Sequence, residues 1–310
     1  MSVIVVTTCS DTKRFPVAPE LRARELRAGN LGELLEQWRS RREKAQPIAE
    51  ARRVYGGRSF QEADKASQAG HADFYIISAG YGLVSASDQI ASYSATLVPA
   101  SEDFVGRSIS SGFSHEDWWS GIQSTESPTP LADLVRATPA ALILIGLSSR
   151  YLPMVRSDLN SLPERDLARV RIVGLGLAKL ADDRLRSLIL PYDGRLDGPD
   201  SPIRGTRSDF ASRALRHFVD SGLAKRGSIR EHSNAVLAAL SSWRDPVVHV
   251  RQTKTDDEIM RVIEKNWNRI EGKSGRGLRY LRDVENIACE QGRFAGLFRR
   301  VARVCPNEKS

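Results

Sequence analysis

Three short polar clusters hold the residue types that could do chemistry. Cys9-Ser10-Asp11-Thr12-Lys13 offers a thiol, hydroxyls, a carboxylate and an amine; Ser78-Ala79-Gly80-Tyr81-Gly82 offers a hydroxyl and a phenol between glycines; Ser148-Ser149-Arg150-Tyr151 offers hydroxyls, a guanidinium and a second phenol. Small hydroxyl side chains, backbone N–H groups and one cation just past a strand end cradle an anion or a sugar. Gly80 and Gly82 let the backbone turn sharply and come close to a ligand while the Tyr81 ring stands out of the loop. Each cluster also has a plainer reading: a polar loop capping a helix, a turn with Tyr81 merely packed, and an Arg150 paired with a local carboxylate.

The elements that must position these clusters are strands. Residues 2–8 are β-branched, and residues 72–79 and 140–147 are nearly continuous apolar runs, as strands buried on both faces of a parallel sheet are. Residues 169–175 read as a fourth strand. If the strands are parallel neighbours, their carboxyl ends bring the clusters to one cleft on one edge of the sheet, where open α/β sheets bind ligands. The expected fold class is therefore α/β, with a mostly parallel sheet flanked by helices. Residues 19–53 read as helix broken at Gly29-Asn30, residues 59–68 as a second helix, and residues 99–130 as a mobile excursion. That excursion carries a short helix with Trp118 and Trp119, one expected in the core and one as a possible stacking surface. A turn-rich loop at 192–198 supplies Asp193, and Arg204 follows it.

The chain has 310 residues, 41% of them apolar, enough for one large domain or two ordinary ones. No apolar run approaches the roughly 18 residues of a membrane span, and no leader pattern stands at the start, so a cytoplasmic protein is expected. Three cysteines without paired spacing and five scattered histidines argue against a disulfide framework, a structural metal or any metal cofactor. Lys and Arg outnumber Asp and Glu by 46 to 38, which favours polyanionic partners. Residues 251–310 concentrate that excess, with 14 basic against 9 acidic side chains. Helix, turn, helix with projecting arginines is the pattern of a helix-turn-helix or winged-helix unit, so domains of 1–226 and 227–310 are expected. Lys273, Arg276, Arg279 and Arg282 would be the DNA contacts, the alternative being a three-helix bundle for protein contact.

Cys9-Ser10-x-x-Lys13, then Tyr55-Gly56-Gly57-Arg58-Ser59-Phe60, then Ile77-Ser78-Ala79-Gly80-Tyr81-Gly82-Leu83 with Asp88 and Tyr93 behind it, resemble a bacterial family with the pattern C-S-x-x-K and S-A-x-Y-G-L. That family is distantly similar to the uracil-DNA glycosylase superfamily and includes relatives similar to anti-phage DNA glycosylases. The resemblance covers about the first third of the chain, with residues 16–51 as an insertion. It implies an α/β fold, no cofactor, water as nucleophile and double-stranded DNA with a flipped, modified base as substrate. The water-activating G-Q-D-P-Y and the H-P-S-P-L loop of uracil excisers are missing, so uracil is not the expected base. On this reading Tyr81 stacks on the base and Asp88, Asp193 or Asp11 orients water. Cys9, Ser10, Lys13, Ser78, Gly80, Gly82, Tyr93, Ser148, Arg150, Tyr151 and Arg204 hold base edges or phosphate. The rivals are a base ribosyltransferase and a nucleotide-sensing DNA-binding regulator.

Overall fold

The structure, a computed structural model, describes residues 2–110, 112–123, 129–247 and 250–305. The chain divides into two units, Met1–Pro246 and Val247–Ser310. In the first, five strands form one sheet: β1 (Val3–Thr8), β2 (Asp73–Ser78), β3 (Gly82–Ser85), β4 (Leu142–Gly146) and β5 (Val170–Val173), in the order β3-β2-β1-β4-β5. All neighbours are parallel except β2 and β3, which pair as a hairpin. The protein is thus α/β with a mostly parallel sheet. β1 and β4 are almost wholly buried, which is why their sequences run apolar without alternation.

Among the described residues, five helices of eight or more residues fall before residue 161. They are α1 (Leu31–Lys44), α2 (Gly57–Ala69), α3 (His115–Ile122), α4 (Pro130–Ala137) and α5 (Leu152–Asn160). Asn30 starts α1 with a capping box to Glu33, so the break expected at Gly29-Asn30 is a helix start. Ahead of it, residues 19–25 form only two single-turn 3₁₀ segments rather than a helix. Two further helices follow, α6 (Phe210–Asp220), which packs against α2, and α7 (Ile229–Leu240).

Both tryptophans of the excursion are core residues, so neither offers a stacking surface. Trp118 Nε1 donates to the Ala79 carbonyl at 2.8 Å, and Trp119 Nε1 donates to Asp158 at 3.2 Å. Residues 111 and 124–128 of that stretch lie outside the described residues.

The boundary between the units falls after Pro246 rather than at 226, because α7 belongs to the first core. Val236 and Leu240 are fully buried in it, and His232 Nδ1 accepts from the buried Arg171 Nε at 2.8 Å. Arg171 spends its other donors on the carbonyls of Ala168, Val170 and Gly227, and burial lowers it to about 10. His232 Nε2 donates to the Lys225 carbonyl, so the tautomer leaves Nδ1 free of a proton. Burial, and then the neighbouring guanidinium, push His232 below its ordinary value; burial does the same to His217, bonded to Tyr192. The unfolded chain therefore binds more protons than the folded one in the window just below pH 6.5. Stability should fall as pH drops through that window, and denaturant midpoints at pH 7.5, 6.5 and 5.5 measure it. His232→Gln, which keeps an acceptor for Arg171, should flatten the dependence.

Among the described residues the second unit has three helices, α8 (Asp256–Lys265), α9 (Ser274–Asp283) and α10 (Gln291–Ala302), with a two-residue parallel pairing of Gln252–Thr253 with Ile287–Ala288. Ile259, Ile263, Trp267, Leu281, Phe294 and Phe298 form its own core. No helix among the described residues is long and apolar enough to cross a membrane.

Candidate functional site: a cleft at the strand-order reversal

The chain runs from β1 to β2 on one side and later from β4 to β5 on the other, so the strand order reverses between β1 and β4. A crevice opens at the carboxyl ends on either side of such a reversal. A cleft of about 820 Å³ lies there. Thr8 to Thr12 enter it from β1, Leu147 to Tyr151 from β4, and Leu175 and Gly176 from β5. The first residues of α2 (Gly57, Arg58, Ser59), the lead-in to α6 (Thr206 to Ala211) and the Thr96-Leu97-Val98 loop close the remaining sides. Helix starts present free N–H groups and the positive end of the backbone dipole, which favours a negatively charged ligand.

The charges reinforce this. Arg58, Arg150 and Arg207 line the cleft from three separate segments, against two carboxylates, Asp11 and Asp209. Asp209 is buried and committed: Oδ1 pairs with Arg213 Nε at 2.7 Å and Oδ2 with Arg58 Nε at 3.2 Å. Asp11 is exposed and has no ion-pair partner among the described residues. Arg213, fully buried at the base of the 194–209 wall, also pairs with Asp197 and donates to the carbonyls of Leu196, Ile203 and Thr206.

The β1 loop is held from behind. Ser10 Oγ donates to the Gly56 carbonyl at 2.7 Å, and Lys13 Nζ donates to the Ser10 carbonyl at 2.5 Å. The same ammonium lies 4.5 Å from the Tyr93 ring centroid and 5.1 Å from that of Tyr55. Burial lowers the Lys13 amine, while Cys9 and Asp11 oppose that shift. Cys9 Sγ sits 3.0 Å from the Tyr151 hydroxyl, and burial holds that phenol well above its ordinary value, so it stays neutral.

Of the residues expected at the site, Cys9, Ser10, Asp11, Ser148, Arg150 and Tyr151 line the cleft together. The second cluster does not join them. β2 turns back into the β3 hairpin, and Ser78 is buried, with its Oγ 2.6 Å from the Tyr93 hydroxyl and accepting from the N–H groups of Gly80 and Tyr81. Tyr93 continues the chain to the Tyr55 hydroxyl at 2.9 Å. Ser78, Gly80, Gly82 and Tyr93 are thus parts of a closed interior network with Lys13 above it. Tyr81, expected to stack on a base, instead lines a separate 360 Å³ hollow under the Arg42 guanidinium, its hydroxyl accepting from the Ala91 N–H.

A Cβ on Gly80 would clash with the edge of the Tyr93 ring, and one on Gly82, whose φ is +77°, would meet the Gln123 amide. The ring cannot retreat from such a Cβ without breaking its bonds to Ser78 and Tyr55. Gly80→Ala should therefore lower stability by about 1–3 kcal/mol, the cost of overpacking, read from a denaturant midpoint.

The remaining candidates also lie elsewhere. Asp88 is exposed in the turn after β3, where its Oδ2 accepts from the Ser85 N–H at 2.8 Å. Asp193 caps the 3₁₀ turn Gly194–Asp197 and pairs with Arg195 at 2.8 Å, which holds its carboxyl below the usual range. Arg204 is exposed outside the cleft lining. Conversely, Arg58, Arg207, Ser59, Thr206, Ser208 and Asp209 line the cleft without having been singled out. The Gly56-Gly57-Arg58-Ser59 helix start was the signal available for the first of these.

In the second unit the expected DNA contacts are partly spent. Lys273 and Arg276 both pair with Glu271, and Arg282 donates to the Cys289 carbonyl, while Arg279 is exposed.

No curated protein and no solved structure matches the chain. Residues 40–105, which contribute α2, β2, β3 and the Thr96-Leu97-Val98 wall of the cleft, are similar to a family of unknown function, DUF6884.

Proposed function

We propose that the cleft hydrolyses an N-glycosidic bond in double-stranded DNA, releasing a modified base and leaving an abasic site, as an enzyme directed at modified phage genomes would. The observation that supports this most is Asp11: an exposed carboxylate, free of ion pairs among the described residues, in a cleft whose other carboxylate, Asp209, is buried and already paired with Arg213 and Arg58. Breaking the C1′–N bond leaves positive charge on the sugar, and a carboxylate both steadies that charge and takes a proton from the attacking water. The departing base keeps the bonding electrons and gains a proton. A volume of about 820 Å³ accommodates a nucleotide turned out of the duplex. Leu97, Val98, Leu147 and Leu175 offer it an apolar wall, and Arg58, Arg150 and Arg207 reach flanking phosphates.

Incubation with several natural modified phage DNAs tests the reading. The expected products are a free base, identified by mass spectrometry, and an equal amount of alkali-labile strand breaks. A swapped base without breaks would make the protein a transferase, and intact DNA throughout would leave binding as its role.

A further inference from the structure

The second unit's positive charge is not spread evenly. Half of its 14 cations are spoken for: Arg251 by Asp283, Lys254 by Glu258, Lys273 and Arg276 by Glu271, Arg293 by Asp256, Arg282 by a carbonyl, and Arg269 by the Tyr280 ring at 4.9 Å. Arg261 and Lys265 on α8, and Arg299, Arg300 and Arg303 on and just after α10, are all exposed. None of the five has a carboxylate partner among the described residues; Arg279 on α9 is likewise exposed without one, but stands alone there beside the paired Arg276 and Arg282.

Lys265, Arg299, Arg300 and Arg303 stand in or just past the last turn of their helices, and Arg261 one turn before Lys265. Arg293 in the first turn of α10 donates to Asp256, the first residue of α8, and to the Lys254 carbonyl, so the two helices begin side by side. Trp267, just past the end of α8, stacks on Phe298 of α10 with centroids 5.1 Å apart and planes 27° from parallel. The helices therefore run in the same direction and finish together. Arg261 with Lys265, and Arg299 with Arg303, are like charges four residues apart, an arrangement that costs a helix a few tenths of a kcal/mol. Their position near helix carboxyl ends offsets part of that cost. On α8 the exposed Asp257 and Glu264, four residues before and three after Arg261, offset part of that repulsion, whereas residues 291–303 contain no acid, so the uncompensated charge is concentrated on α10, as suits a polyanion.

We propose that this end of the second unit, formed by Arg261, Lys265, Arg299, Arg300 and Arg303, is a sequence-independent contact for the phosphodiester backbone of nucleic acid. Five dispersed point charges with Val304 as the exposed large apolar side chain beside them fit a phosphate ladder better than a lipid surface, which needs an apolar wedge. The surface thereby differs from the α9 residues first expected to meet DNA. It rests on the reading of the protein as a DNA enzyme only for its biological purpose, since binding is measured without catalysis.

The experiment uses the full chain and an unmodified fluorescent duplex of arbitrary sequence, titrated by anisotropy across a series of salt concentrations. Arg299→Gln/Arg300→Gln/Arg303→Gln should weaken binding at least about tenfold near 0.15 M salt and make the log–log salt dependence shallower by about 3. Arg261→Gln/Lys265→Gln on the other helix should move both quantities the same way by a smaller amount, and Arg276→Gln/Arg279→Gln should change them least. All substituted residues are exposed, and circular dichroism verifies that the helices persist. Equal affinities for parent and variants, or parent protein that binds phosphatidylserine vesicles but not the duplex, would overturn the proposal. Duplex binding lost in the variants with no base ever released would sink the hydrolysis alone.

Discussion

Arg213→Leu is expected to lower the unfolding midpoint of the first unit by about 6–20 °C. The guanidinium is fully buried and meets Asp209, Asp197 and three backbone carbonyls. Breaking a buried ion pair from one side costs about 3–5 kcal/mol, because the stranded partner keeps its desolvation penalty. In a unit of this size each kcal/mol shifts the midpoint by about 2–4 °C. Leucine fills much of the volume, so the effect isolates lost charge and hydrogen bonds rather than a cavity. Asp209→Asn removes the buried charge that Arg213 would otherwise leave behind, so the double variant should lose less than the two single losses added together. A midpoint equal to the parent's would make the network peripheral. Since Arg213 ties down the 194–209 wall and Asp209 turns toward Arg58, the single variant should also loosen the cleft before it unfolds the sheet.

The parts of this architecture that were legible in the sequence are those encoded by long local patterns. β1 and β4 announce themselves as largely Val, Ile and Leu, because a strand covered on both faces has no room for polar alternation, whereas β5 interrupts its apolar residues with the buried Arg171. Two of the three polar clusters meet because their strands are parallel neighbours across the reversal of strand order, and the carboxyl-edge rule then fixes where they point. The Ser78–Gly82 cluster has the same composition but a different fate. Gly82 adopts a left-handed φ that starts a hairpin, so the chain folds back and Tyr93 closes over Gly80. A four-residue strand after two glycines carries too little pattern to be distinguished from a helix start. The cleft walls at Arg58 and at 206–211 come from segments far apart in sequence, brought together by the packing of α2 on α6. No local signal records that packing. The boundary after Pro246 was hidden for the same reason: α7 is held by a buried arginine–histidine contact from β5, and nothing within residues 229–240 points to it.

Those placements separate the three acids once considered for activating water, and they make the outcome of substituting each one unequal. Asp11→Asn should reduce the rate of base release by about 10²–10⁴, the usual contribution of a positioned acid or base, with the unfolding midpoint unchanged because the side chain is exposed. Asparagine keeps the shape and can still accept a hydrogen bond from water, but it cannot take the proton or balance charge on the sugar. Substrate affinity should fall little, since a carboxylate among phosphate-facing arginines repels rather than attracts DNA. Asp193→Asn should behave otherwise. It weakens the pairing with Arg195 while the amide oxygen still accepts from the Arg195 N–H, so any deficit should appear as a small loss of stability rather than lost turnover. Asp88→Asn touches only the turn after β3 and should leave the rate within error of the parent's. Single-turnover release of base from a duplex, with each variant saturating, separates the chemical step from binding. A rate unaffected in Asp11→Asn while Asp88→Asn or Asp193→Asn abolishes release would move the reaction out of this cleft altogether, because neither of those carboxylates lines it.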